Sequence, residues 1–518
     1  MMMGKWQRVF VSISLFAGRI LARAPGQILA RALGQILARA LGRILARRVP
    51  LLLLALVPIL PWGLGGRAAW AQEPGDLFGP FLVEQILFEG NRRTREPIMR
   101  QEIRFAEGQV VNYWQLDQAR QDIMNLGLFR AVDLKFERAD LTHPEISAKA
   151  GQEPSQEELK GPPALKVVFV VREKFYYFVL PQLSRTADGD IRYGGELRAD
   201  NWLGHNHQVS LRWSREIPSD PRVEEIDSLL FRYRIPRLLK KRQGLGLSVE
   251  DSRGLRILGP GEGPPDISDR PEAERQYLQQ RQVYNLSMQQ WLNQDGRTQG
   301  WRFVVEGLVD RRDYEATPGL AADLALPVAG QDVRGRWGLI FSEVNDYDIR
   351  REGVEYGGVW NLPLSILGAD FHHQGWDFFY RQYISMPAIF SRGVANLNLQ
   401  LRAGWTTGNA FRDRAYTLGG SGAVRGLDPD YRVGERQVLI NVEYLTPLFG
   451  YHPLRGVLFT DFGEVWEKGA SPKEVAYAGG LGLRWNLRWF VRTQLRLDVA
   501  YAPEQGQTRV YAGTNSSF

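Results

Sequence analysis

Residues 395–405 read "ANLNLQLRAGW", an unbroken alternation of apolar and polar side chains. In an extended chain, successive side chains point to opposite faces. Leu397, Leu399 and Leu401 therefore share one face, and Asn396, Asn398, Gln400 and Arg402 share the other. A strand of a soluble sheet turns one face to a dry core, whereas here both faces must be satisfied, one by apolar surroundings and one by something wet. The pattern recurs in "VSLRWSRE" (209–216), "LGLSVED" (245–251), "WRFVVEGLV" (301–309), "QVLINVEYL" (437–445), "GVLFTDFGEVW" (456–466), "YAGGLGLRWN" (477–486) and "TQLRLDVAYA" (493–502). Eleven such runs precede residue 419 and five follow it, about sixteen in all. The 344 residues after Lys174 then allow about 21 each for strand and connection, which suits tilted membrane strands of ~10 residues joined alternately by short turns and longer loops. A soluble propeller would carry an internal repeat of about 40 residues, which the sequence lacks. The expected fold is an all-β transmembrane barrel of about sixteen antiparallel strands over residues 175–518, with external loops at 254–276 and 310–333.

Ahead of the barrel, residues 83–174 read as a small α/β domain. "FLVEQILFEG" (81–90) is a strand, and "TREPIMRQEI" a helix capped by Thr94. "NYWQLDQARQDIMNLG" spaces Trp114, Leu116, Ile123, Met124 and Leu126 as a helix ending at Gly127. "LFRAVDLKFER" and "ALKVVFVVREK" are two further strands, and the polar stretch 139–163 between them is a surface excursion. Residues 72–82 form a short linker.

The 518 residues include no cysteine, which excludes disulfides and thiolate chemistry. The net charge of +7 is concentrated at one end: residues 1–71 hold ten Lys and Arg and no acid, leaving 55 basic against 58 acidic residues elsewhere. The body of the chain thus lacks the footprint of a nucleic-acid binder. Residues 1–71 form a targeting region. The apolar run Val49–Leu60 and the small-residue site Ala69-Trp70-Ala71 predict secretory cleavage before Gln72, and the run is short of the ~20 residues that span a membrane. Upstream, an octapeptide repeat places glycines at 18, 26, 34 and 42, which weaken any helix there. A tandem expansion or an early start codon accounts for it equally well, and no function in the mature protein is assigned to it.

Three stretches carry a resemblance to the BamA/TamA superfamily of outer-membrane assembly and translocation proteins. The small domain resembles a POTRA (polypeptide-transport-associated) domain in its element order, in "FEGNRRTRE" (88–96) and in "GLFRAVDLKFE" (127–137). "LRADNWLGHNHQVSLRW" (197–213) is similar to the family's early barrel strands, with their Asn-x-Leu-Gly turn. "GGSGAVRGLDPDYRVGER" (419–436) resembles the sixth external loop, with Val424-Arg425-Gly426 followed by Leu427 where the family has an aromatic residue. The matching wall motif stands at Phe459-Thr460-Asp461-Phe462-Gly463. The resemblance implies a loop folded back into the lumen with Arg425 against the wall. Strand parity puts Phe459, Asp461 and Gly463 on one face, and an aspartate is costly in lipid, so Asp461 should face inward and can hold a guanidinium bidentately. Glu443 is a further inward charge. Phe518 matches the terminal aromatic assembly signal of such barrels, sharing a face with Val510, Ala512, Thr514 and Ser516.

The resemblance implies a bacterial outer-membrane protein with its POTRA domain in the periplasm. Its partners would be unfolded outer-membrane or secreted polypeptides and the membrane lipid, without nucleic acid or nucleotide, and the strand "FRAVDLKFE" offers the client an edge. A passive porin and a surface-adhesion barrel are the alternatives. The six histidines form no ligand motif, His205-Asn206-His207 lies in an expected turn, and no nucleophile elbow, phosphate loop or dinucleotide fingerprint occurs. No catalytic, metal or cofactor site is expected.

Overall fold

The structure is a computed structural model that describes residues 80–138, 162–185, 191–217, 225–238, 242–258, 270–293, 298–389, 393–409, 416–428, 431–472, 474–491 and 493–513. The expected targeting region (1–71), most of the expected 139–163 excursion and Phe518 lie outside the described residues.

The small domain is a four-stranded sheet with two helices: β1 (Phe81–Glu89), α1 (Glu96–Arg100), β2 (Val110–Val111), α2 (Tyr113–Met124), β3 (Phe129–Arg138) and β4 (Ala164–Glu173). The strand order is β2-β1-β4-β3, with β1 and β4 parallel and the outer pairs antiparallel. Helix α2 starts at a capping box, in which Asn112 accepts from the Gln115 amide and the Gln115 side chain accepts from the Asn112 amide. Val83, Met99, Leu116, Ile123, Val167 and Phe169 fill the core. Two expectations fail here. Thr94 does not cap α1; Arg95 occupies that position and gives no side-chain cap. Trp114 is 68% exposed, because it sits on the solvent face of α2's first turn, opposite buried Leu116. The two-residue strand β2 was too short to leave a periodic signal.

Sixteen further strands make one antiparallel sheet. The first are β5 (Tyr177–Arg185), β6 (Ile191–Trp202), β7 (His207–Ile217), β8 (Ile226–Leu238), β9 (Gln243–Ile257) and β10 (Gln276–Trp291). They continue as β11 (Gly300–Ala316), β12 (Gly330–Asp346), β13 (Arg351–Pro363), β14 (His372–Pro387) and β15 (Val394–Asn409). A small separate hairpin, β16 (Tyr416–Leu418) with β17 (Arg432–Gly434), interrupts the array. The barrel then resumes with β18 (Arg436–Leu448), β19 (Tyr451–Trp466), β20 (Ala476–Asn486), β21 (Gln494–Ala502) and β22 (Gln507–Gly513). Eleven strands thus precede the hairpin and five follow it, as the alternation predicts. Among the described residues no ladder joins β5 to β22. Just ahead of β5, the Phe175 backbone bridges Phe490 in the β20–β21 turn.

Parity separates wall from lumen. On β19, Arg455, Val457, Phe459, Asp461, Gly463 and Val465 are buried, while Leu458 between them is exposed. On the outer face, Trp337, Trp360, Trp376 and Trp405 are register neighbours on four adjacent strands, and Trp360 and Trp376 stack at 5.3 Å. A second row, Phe341, Tyr356 and Tyr380, follows four residues away. Such aromatic bands mark the interfacial levels of outer-membrane barrels.

The expected external loops at 254–276 and 310–333 are shorter than the sequence suggests. Strand β9 runs on to Ile257, and β11 and β12 extend to Ala316 and from Gly330. The charged residues that looked like loop line the lumen. Asp310, Arg312 and Asp332 are buried, with Arg281 and Arg312 both donating to Asp310 at 3.0–3.3 Å and Arg334 pairing with Asp332 at 3.1 Å.

Candidate functional site: a loop clamped inside the barrel

The connection between β15 and β18 folds into the lumen. Val424 and Leu427 are fully buried there, in an apolar cluster with Leu418, Leu439, Ala476 and Ala502. Leu427, which stands where the resemblance expects an aromatic residue, is thus packed in the apolar cluster. Two glycines allow the close approach. Gly426 has φ of +94°, and a Cβ on it would stand 3.0 Å from the Ala502 amide nitrogen. A Cβ on Gly463 would collide with Leu439 and Leu418 and lie 3.0 Å from Val424 Cγ2, so the wall is hollowed where the loop rests.

Arg425 is the centre of the contact, with 1% of its side chain exposed. Its Nε and Nη2 donate to the two oxygens of Asp461 at 2.6 and 2.7 Å, and its backbone amide donates to the same carboxylate at 3.1 Å. Its Nη1 donates to Glu443 at 2.6 Å and to Asp498 at 3.2 Å. The guanidinium lies over the Phe459 ring, 3.5 Å from the centroid. A fork of planar donors fits this arrangement, whereas a lysine would be a single point charge.

The motif residues are only half of the cluster. Arg484 on β20 donates to Glu443 at 3.0 Å and pairs with Asp498, and Arg496 on β21 donates to Asp498 at 2.6 Å. Three carboxylates therefore face three guanidiniums, all buried except the half-buried Arg496, which offsets the cost of taking these charges out of water. Further bonds hold the loop backbone. Asn441 donates to Ala423 O and to Asp461, both at 2.8 Å. Arg402 reaches Gly422 O, Arg496 reaches Ser421 O at 3.2 Å, and the Gly426 amide donates to the Tyr511 hydroxyl at 2.9 Å. At the hairpin, the Tyr416 hydroxyl donates to Asp377 at 2.8 Å.

Sequence reasoning missed Arg484, Arg496, Asp498 and Tyr511. The signal for the three charges was present: "LGLRWN" and "LRLDVAYA" each place charges at the inward parity between apolar neighbours. Which inward charges meet depends on the register between strands, and no single strand encodes that.

The joint with the POTRA domain was also missed. Thr94 is buried, its hydroxyl within 3.0 Å of the Tyr176 hydroxyl and accepting from Asn201 at 2.9 Å. Burial pushes the Tyr176 phenol above its ordinary value. The Arg95 amide donates to Gly204 O at 3.1 Å, so the Asn201-Trp202-Leu203-Gly204 turn is the barrel's seat for α1. A second contact involves the β12–β13 turn. Asp348 binds Lys174 at 2.7 Å and Arg488 at 2.7 Å, and Gln121 and Asn125 of α2 bond the backbone of Asp346. The His205 and His207 rings lie 5.7 Å apart, but His207 bonds Tyr233, and among the described residues no group of three potential ligands could hold a metal.

A family model described as the Omp85 superfamily domain matches residues 201–518. A POTRA model described as the surface antigen variable number repeat matches residues 81–174. Among solved structures, CdiB from Acinetobacter baumannii superposes with a TM-score of 0.52 at 15% identity, over 83% of this chain and 72% of that one. BamA from Haemophilus ducreyi lacking POTRA domains 1–3 aligns over 84% of both chains at 14% identity, with a TM-score of 0.47. The first family match spans well over half of the sequence and ends a sixteen-stranded barrel that follows a POTRA domain: this chain belongs to the Omp85 superfamily.

Proposed function

We propose that the protein is an outer-membrane polypeptide insertase or translocation pore, whose periplasmic POTRA domain receives unfolded clients and whose barrel passes or inserts them. The observation that carries this reading is the clamp. A loop held inside the lumen by one arginine on three carboxylates obstructs simple diffusion and gives a client something to displace or follow. A passive porin has no use for such a loop or for a POTRA domain seated on its mouth.

The edges of the POTRA sheet support one docking place for a client over the other. On the β1 side, the Ile86 amide donates to Glu107 at 3.0 Å and its carbonyl accepts from Arg100 at 2.9 Å, so side chains already cover that edge. Strand β3 is the opposite edge and has no neighbour on its outer side among the described residues. An extended client can add there through backbone bonds that require no particular sequence.

The test is client accumulation in cells depleted of the protein and complemented with variants. Deletion of residues 83–174 is expected to leave a barrel that inserts, migrates faster on gels when unboiled and handles no client. Wild-type client handling by the deleted form would overturn the role given to the POTRA domain, whereas a planar-bilayer conductance that the deletion leaves unchanged, with no client effect, would assign the protein to the porins.

A further inference from the structure

Below the clamp, on the POTRA side, the lumen holds a cavity of about 320 Å³, within the range of about 300–1,000 Å³ typical of small-ligand sites. Its charged lining is unbalanced. Lys174, Arg350, Arg351, Arg455, Arg484 and Arg488 contribute six cations, against Asp346, Asp348 and Glu443. Two of those acids are already shared: Asp348 serves Lys174 and Arg488, and Glu443 serves Arg425 and Arg484.

Arg455 is the residue that the rest of the structure leaves unexplained. It is 2% exposed and ranks among the largest fully buried side chains. Its two terminal nitrogens are fixed by neutral acceptors: Asn396 Oδ1 at 2.8 Å, Val394 O at 2.7 Å, Leu445 O at 3.2 Å and Ile349 O at 3.4 Å. Among the described residues its Nε–H has no acceptor and no acid lies within ion-pair distance. Arg350, on the turn that floors the cavity, pairs only distantly with Glu352, at 4.0 Å, has an Nε without an acceptor, and holds its guanidinium 4.6 Å from the Tyr347 ring centroid. A buried cation without a counter-charge is costly. Here it is held rigidly, facing a polar space bordered by further cations, which is the arrangement of an anion site.

We propose that this cavity is a binding site for a single oxyanion, a carboxylate or a phosphate, with Arg455 as its fixed anchor and Arg350 as its second donor. A carboxylate can come from a polypeptide's acidic side chain or chain end, and a phosphate from solution; both present the same acceptor geometry. The site stands on the geometry of the lumen alone, so a failed transport assay would leave it intact.

The full chain in detergent is titrated calorimetrically with inorganic phosphate at constant ionic strength, with chloride as the balancing anion. Saturable one-site binding is expected, weakened at least tenfold in Arg455→Gln and several-fold in Arg350→Gln, with Arg455→Lys intermediate. If Arg455→Gln loses its heat-modifiable migration, Arg350→Gln and Arg455→Lys decide. A phosphate response no greater than that of chloride, or one unchanged in the folded variants, overturns the proposal. A short peptide with a free terminal carboxylate and its amidated twin are then competed against phosphate. Competition by the free acid alone assigns the polypeptide as the source, and competition by neither assigns the free oxyanion.

Discussion

Inside the POTRA domain, the side chains with no exposure among the described residues are Val83, Met99, Leu116, Ile123, Phe129, Val167 and Phe169; inside the barrel, the largest fully buried side chains are Arg312, Arg425, Arg455 and Arg484. The same chain thus builds one interior from hydrocarbon and the other from guanidinium and carboxylate. The domain must exclude water to pay for chain ordering, and each buried large apolar side chain contributes about 1.5–3 kcal/mol. The barrel turns its apolar residues outward and satisfies its backbone by strand pairing, so its interior is free to carry charge. One interior is therefore held by apolar packing, and the other by ion pairs and hydrogen bonds.

Substitutions can break that contrast in graded steps. Phe169→Ala should have the largest effect on stability, about 3–5 kcal/mol for a buried phenylalanine. It should make residues 81–174 sensitive to protease while the unboiled barrel keeps its fast gel migration. A barrel that falls apart with the domain would mean that the two interiors are not independent.

Arg425→Ala comes next. Removing one partner of a buried ion pair costs about 3–5 kcal/mol, and the loss should sit toward the lower end because Arg484 remains on Glu443 and Asp498. Client handling should fall severely while the barrel still forms. Asp461→Ala should be milder, since Arg425 keeps Glu443 and Asp498. The double variant should be less than additive by about 0.5–3 kcal/mol, and additive losses would show that the two do not act through one contact.

Asp348→Asn should cost less, about 1.5–3 kcal/mol for charge-assisted bonds, and should loosen the POTRA domain from the barrel mouth. The measurement is faster proteolysis between residues 162 and 176, with the barrel intact. Trp114→Ala should change stability by about 0.5 kcal/mol or less, as for an exposed site; a larger change in thermal unfolding would place Trp114 in a contact that the fold does not contain.

Much of the fold was legible because alternation is a local property. Leu397 and Asn398 show their faces without knowledge of any neighbour, and sixteen such runs are enough to close a barrel. Arg425 and Asp461 were legible for a different reason, through a resemblance joined to strand parity. The remainder of the cluster was not, since the register that brings Arg484 and Asp498 to Glu443 is set by turns and pairings outside each strand. Asp310 and Asp332 misled for a related reason: charge in a stretch near Gly and Pro reads as loop, and only a charged lumen makes it wall. Thr94 had a cap's chemistry but was used at the domain joint, where its hydroxyl serves Tyr176 and Asn201 rather than a helix amide.

The clamp also sets an order of events in the protein's own biogenesis. Arg425 meets Glu443, Asp461 and Asp498, which follow it by 18, 36 and 73 residues, and the next residue bonds Tyr511, 85 positions later. The loop cannot be seated until nearly the whole chain has been delivered and its last strands paired, because contacts this distant form only after the intervening segment is in place. A chain arrested before β21 would present a loop without its last carboxylate and without Tyr511. Seating the loop therefore requires that the final strands are already in register.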